Sequence, residues 1–173
     1  VAANEKDGET NISTGWHAIE FLLWGQDTSV DGPGNRAFTD YTTAPNAERR
    51  ATYLNLLADL LVNDLTGVRD QWNPDSGAYR KEFLAEPTVA VQNILRGMGA
   101  LSAGELAGER MAVPYESKEQ EDEHSCFSDN TLADIVGNAR GIRLAYTADY
   151  EGVDGTSLSE VVAKLAPEVD ADL

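Results

Sequence analysis

The sequence predicts an all-α protein built as a helical bundle. Three observations carry that expectation: long stripes of apolar residues at helical spacing, Pro and Gly placed at the ends of those stripes, and no alternating strand pattern of useful length. The clearest stripe is Leu54, Leu57, Leu61, Leu65, Val68 and Trp72, with gaps of three and four residues throughout. This is one face of a long amphipathic helix, with Asn46 placed to cap its start and Asn73-Pro74 placed to end it.

A second stripe runs through Val91, Ile94, Leu95, Met98 and Leu101, with Pro87 at a first-turn position. Glycines 97, 99, 104 and 108 weaken that helix and predict a bend or close helix packing. A third stripe is Leu132, Ile135, Val136, Ala139, Ile142 and Tyr146, with Ser128, Asp129 and Asn130 as capping candidates. Near the end, Ser157 and Glu160 have the capping-box spacing and open a short helix through Val161, Val162 and Leu165. Two stretches read as loops: 27–44, rich in Gly, Asp and Thr, and 114–128, charged and aperiodic.

Charge narrows the partners. Thirty acidic residues against 13 basic ones give a net charge of −17 over 173 residues. Such a polyanion repels phosphate backbones and anionic lipid, and it concentrates cations, metal ions above all. A salty habitat would favour the same acidity with no ligand at all. The longest apolar run, Phe21 to Trp24, is four residues against about 20 for a membrane span. One cysteine, Cys126, excludes an internal disulfide and reads as a packed residue.

Two constellations bear chemistry. In the first, Gly15-Trp-His17-Ala-Ile-Glu20, the His and Glu stand three apart on one helix face. Ser13 or Thr14 is placed to cap this helix and Gly25 to end it. Ile19 and Phe21 to Trp24 make the segment apolar nearly all round, which predicts a buried helix and a costly pair of buried polar groups. Two readings stand: His17 and Glu20 satisfy each other in a buried network, or they ligate a metal that accepts nitrogen and oxygen, such as iron or zinc. The zinc-protease pattern His-Glu-x-x-His is absent. The second constellation is Glu121 to Thr131, where Glu123, His124, Ser125, Asp129 and Asn130 are candidates for further ligands or for groups that orient them.

The two runs in this order resemble the imelysin family. Its Gly-x-His-x-x-Glu hallmark stands here as Gly15, His17 and Glu20. The later run EDEHSCFSDNT followed by DIVGNARGI stands at Glu121 to Ile142. Leu132-Ala133 departs from the His-Arg that relatives often carry there. The resemblance implies an all-helical domain of two related bundles, exported to a bacterial periplasm or outer membrane and tied to iron uptake or its regulation. Some members are classed as metallopeptidases. The resemblance places Gly15, His17 and Glu20 in a metal-binding site, iron favoured and zinc possible, with the His124 to Asn130 run as its neighbour. Family domains are longer on both sides, so residues 1–173 are expected to form an imelysin-like domain incomplete at both ends. Remaining segments of that domain, or a second copy, would then pack on the hallmark helix.

Overall fold

The computed structural model describes residues 13–153 and 155–172, and they are all-α, with one isolated bridge between Tyr150 and Val153. The helices are α1 Trp16–Trp24, α2 Ala47–Gln71, α3 Ala78–Ala85, α4 Pro87–Gly99, α5 Val113–Ser117, α6 Thr131–Thr147, α7 Leu158–Leu165 and α8 Pro167–Asp172. The described residues form two compact units: one from those up to Glu86 together with Ser125–Asn130, the other from Pro87–His124 together with those from Thr131 onward.

In the first unit α1 packs on α2, and of the stripe read from the sequence the first half, Leu54, Leu57 and Leu61, is buried or partly buried. Leu57 is wholly buried there, with Leu22 of α1 and Ala47 beside it in the buried set. Tyr53 donates its hydroxyl to the Ser13 carbonyl, and Tyr41 donates to Leu22 O, so two phenols of this unit tie the chain around α1. The distal half of the stripe is different: Leu65, Val68 and Trp72 are exposed. Trp72 packs edge-on against Tyr79 and Phe83 of α3, with ring centroids 5.1 and 5.2 Å away.

Asn46 occupies the residue before α2 but makes no side-chain cap, because it sits in the left-handed region at φ 63°. Asn73 does punctuate the end of α2, its Oδ1 accepting the amides of Asp75 and Ser76. Within 27–44, expected as loop, Phe38–Tyr41 form a single 3₁₀ turn. Here Arg50 of α2 donates to the carbonyls of Asp40 and Pro45, which satisfies backbone acceptors that no regular element would reach.

In the second unit α4 starts at Pro87 as expected, and Ala90 on it is buried. The glycine-weakened continuation does not simply bend. It widens into a π-helical stretch over Ala100–Ala112, and the Val113 amide bonds Gly108 O five residues back. This stretch packs against α4, α5 and α6, and Arg110 on it donates to Asn138 Oδ1 of α6 at 2.8 Å. The charged segment 114–128, expected as loop, is corrected in part: it holds all of α5 but its first residue and a 3₁₀ turn at Gln120–Asp122.

Ser157 caps α7 as its spacing predicted, accepting the Glu160 amide at 3.0 Å. Tyr146 of α6 and Ser159 of α7 both donate to Asp170 Oδ1 of α8, at 2.8 and 2.7 Å, so one carboxylate pins three helices. Burial, and then the bond to Asp170, push the Tyr146 phenol above its ordinary pKa. Among the described residues no helix is long and apolar enough to cross a membrane.

Candidate functional site

The hallmark segment is held by two glycines in a conformation that other residues avoid. Gly15 precedes α1 at φ 86°, ψ −168°, and Gly25 follows it at φ 80°, ψ −174°. That region is essentially restricted to glycine. Among the described residues nothing lies within 4 Å of a Cβ built on Gly15, so its backbone torsion is what accounts for glycine there. Neither Ser13 nor Thr14 caps the helix; the residue before it is Gly15 itself, with no side-chain cap.

The other end of α1 is closed by Arg36. Its amide donates to Trp24 O at 2.8 Å, and its guanidinium donates to Phe21 O at 3.1 Å and to Asp40 Oδ2 at 3.0 Å. The guanidinium also lies 5.2 Å from the Phe21 ring centroid, so one cation serves the negative end of the helix and an aromatic face.

Along α1, His17 and Glu20 meet, with Nδ1 2.8 Å from Oε2. Their environments differ: the Glu20 side chain is 10% exposed and that of His17 is 49% exposed. The expectation of a helix buried all round is therefore corrected. On α1 only Glu20 and Leu22 are buried, while Trp16, Phe21, Leu23 and Trp24 keep exposed surface. Among the described residues, α2, the Arg36 loop and the Phe127–Ser128 segment cover parts of this nine-residue helix and leave those aromatic side chains partly open.

The second oxygen of Glu20 reaches across 108 positions of sequence. Its Oε1 accepts both the Ser128 amide at 2.9 Å and the Ser128 hydroxyl at 2.6 Å. The segment around Ser128 is fixed further by Phe127, whose ring stacks edge-on against Phe21 at 5.0 Å and whose carbonyl accepts the Gly34 amide at 2.9 Å. A Cβ on Gly34 would stand 2.7 Å from Trp24 O, 2.8 Å from Gly25 O and 3.1 Å from Phe127 O, so only glycine fits where these three backbones converge.

Of the candidates from the second run, Ser125 is buried, and Asp129 and Asn130 are exposed, all three in the unit that carries α1. Asp129 has φ 54°, a left-handed turn immediately before α6. Glu123 and His124 belong to the other unit, where His124 Nδ1 stands 3.0 Å from Asp134 Oδ2. Glu123 follows the 3₁₀ turn and donates its amide to Gln120 O. Among the described residues no three His, Cys, Asp or Glu side chains gather as a group able to hold a metal ion. From the residues alone Ser128 is a capping candidate; the family resemblance places it in the His124 to Asn130 run beside the hallmark, and its bonds to Glu20 put it there.

The imelysin family model matches residues 1–173, the whole chain. The chain belongs to the imelysin family. It is also similar to a protein of Synechococcus elongatus named "Iron-regulated protein A", 28% identical over 185 aligned residues. That alignment takes in all of this chain and 47% of the cyanobacterial protein, so the chain spans about half the length of this curated relative.

Proposed function

We propose that this imelysin chain serves iron acquisition or its regulation, as an exported protein of the periplasm or outer membrane, and that His17 gives a metal ion an imidazole ligand. The observation that carries the reading is the His17–Glu20–Ser128 arrangement: a half-exposed imidazole on a helix whose neighbouring carboxylate is locked in place. A ligating histidine ordinarily has its other ring nitrogen held in this way by a carboxylate or carbonyl. The net charge of −17 and the relative's name support a cationic, iron-related partner.

The donors present fit one side of a coordination sphere. They do not by themselves fit a closed centre, which takes about four protein donors, or three with an open position. The remaining donors would come from other segments of the same domain or from a second copy, laid on the exposed aromatic face of α1 at Trp16 and Trp24. The reading is of a binding protein: a hydrolytic site needs a base beside its ligands, and the sequence has no His-Glu-x-x-His helix to supply one.

A second reading has its own observation. Glu20 accepts two hydrogen bonds from Ser128 and meets His17 Nδ1 at 2.8 Å, so both its oxygens have protein partners, which is what an interaction module with a polar network under its helix would need. Calorimetry with Fe(II) and Zn(II), on the intact protein and on His17→Ala, separates the two. Stoichiometric binding that disappears in His17→Ala supports the metal reading. Heats that are equal in both proteins, or zero in both, overturn it in favour of the network.

A further inference from the structure

We propose that Glu20 is a positioning residue and not a metal ligand. It ties the Ser128 segment to α1, and it fixes the His17 ring in the Nδ1–H tautomer, so that Nε2 carries the ring's lone pair. The metal part of this inference rests on the reading above; the tie and the tautomer do not.

The argument begins with what each atom can do. A carboxylate only accepts hydrogen bonds, through two oxygens with about four lone-pair sites. Three of those sites are spoken for: Oε1 takes the Ser128 amide and hydroxyl, and Oε2 takes His17 Nδ1. Since Glu20 has no proton to give as a carboxylate, the proton between it and His17 resides on Nδ1. In a neutral imidazole one nitrogen donates and the other accepts, so Nε2 becomes the electron-pair donor.

Burial sharpens the assignment. At 10% exposure the Glu20 side chain could swing toward a metal only by surrendering partners with little water to replace them. Its partners are also well anchored, because Phe127, one residue before Ser128, is held by Phe21 and Gly34. The half-exposed member of the pair is the imidazole, and that is the side from which a ligand would approach.

The test is made first on the intact, metal-free protein. Nitrogen-15 NMR of the imidazole, assigned by the signals lost in His17→Ala, is expected to show Nδ1 protonated and Nε2 unprotonated. Glu20→Gln keeps an oxygen for Ser128 but turns an amide N–H₂ toward His17, so the ring is expected to switch to Nε2–H. Hydrogen exchange at the Ser128 amide should stay slow in Glu20→Gln and quicken by about tenfold or more in Glu20→Ala. A His17 ring found as Nε2–H in the unaltered protein overturns the proposal without any variant. So does a Ser128 amide that loses protection when zinc is added, because Glu20 would then have left it for the metal. Absence of any metal heat, by contrast, strikes the functional reading alone and leaves the tautomer standing.

Discussion

The tie between Glu20 and Ser128 should appear as a measurable coupling energy. The perturbation is a double-mutant cycle of Ser128→Ala, Glu20→Ala and the pair. Ser128→Ala removes the 2.6 Å hydroxyl bond to a carboxylate that is 10% exposed, while the backbone amide keeps its bond to the same oxygen. Hydrogen bonds to charged groups contribute about 1.5–3 kcal/mol, and the short distance places this one among the charge-assisted bonds. Glu20→Ala already strips the hydroxyl of its partner, so adding Ser128→Ala to it should cost little more, and the coupling should fall near 2 kcal/mol. The assay is urea unfolding followed by tryptophan fluorescence. All three tryptophans, Trp16, Trp24 and Trp72, lie in the unit that holds the tie, so the signal reports that unit. With a slope of about 2 kcal/mol per M, Ser128→Ala should lower the midpoint by about 1 M. His17→Ala should cost less, under about 1 kcal/mol, because half of that side chain faces solvent. A coupling below about 0.5 kcal/mol, or a His17→Ala penalty exceeding that of Ser128→Ala, would refute the reasoning.

Two further expectations follow from burial. Leu57→Ala, at the one wholly buried large side chain among the described residues, should destabilise the α1–α2 unit by about 2–5 kcal/mol, whereas Val68→Ala on the exposed end of the same stripe should stay within about 1 kcal/mol; equal penalties in urea melts would contradict the packing described. The raised pKa of Tyr146 means the fold favours its neutral phenol, so the unfolded chain ionises first as pH rises past ~10. The stabilising contribution is therefore complete below that pH and is lost as pH climbs through the folded value. Burial raises the Tyr41 phenol as well, so tyrosinate absorbance should show two late-ionising phenols, of which Tyr146→Phe removes one, and alkaline unfolding followed by circular dichroism should shift with it. A late-ionising amplitude unchanged in Tyr146→Phe would contradict the assignment.

Much of the fold was legible because its signals are local. Helical spacing located α2, α4 and α6; Pro87 marked a start, and Ser157 with Glu160 marked another, since a cap is a matter of a few adjacent residues. The misreadings have local causes too. Asn46 takes the left-handed turn that leads into α2, and in that conformation its side chain makes no cap. The weakness written into Gly97, Gly99, Gly104 and Gly108 signalled an irregular helix but could not specify a π-helical one, because i→i+5 bonding depends on what α6 and α5 press against it. Of the site, the His17–Glu20 contact was readable from a spacing of three, whereas the bond to Ser128 spans 108 residues and leaves no periodic trace.

That spacing also explains how one helix can hold a guarded carboxylate beside an accessible imidazole. Three residues turn an α-helix by about 300° and raise it by about 4.5 Å, so His17 and Glu20 are neighbours set about 60° apart around the axis. The offset is small enough for a 2.8 Å contact and large enough that Glu20 faces the Ser128 segment while His17 faces outward at 49% exposure. A spacing of four would bring the two side chains to within about 40° of each other, and both would tend toward the same environment. Gly15 opens this arrangement. It stands immediately before Trp16 in a conformation open only to glycine, and its carbonyl accepts the Ile19 amide at 3.3 Å, the first backbone bond of α1. On the reading proposed above, glycine, histidine and glutamate have three separable tasks: to start the helix, to present a nitrogen, and to hold that nitrogen still.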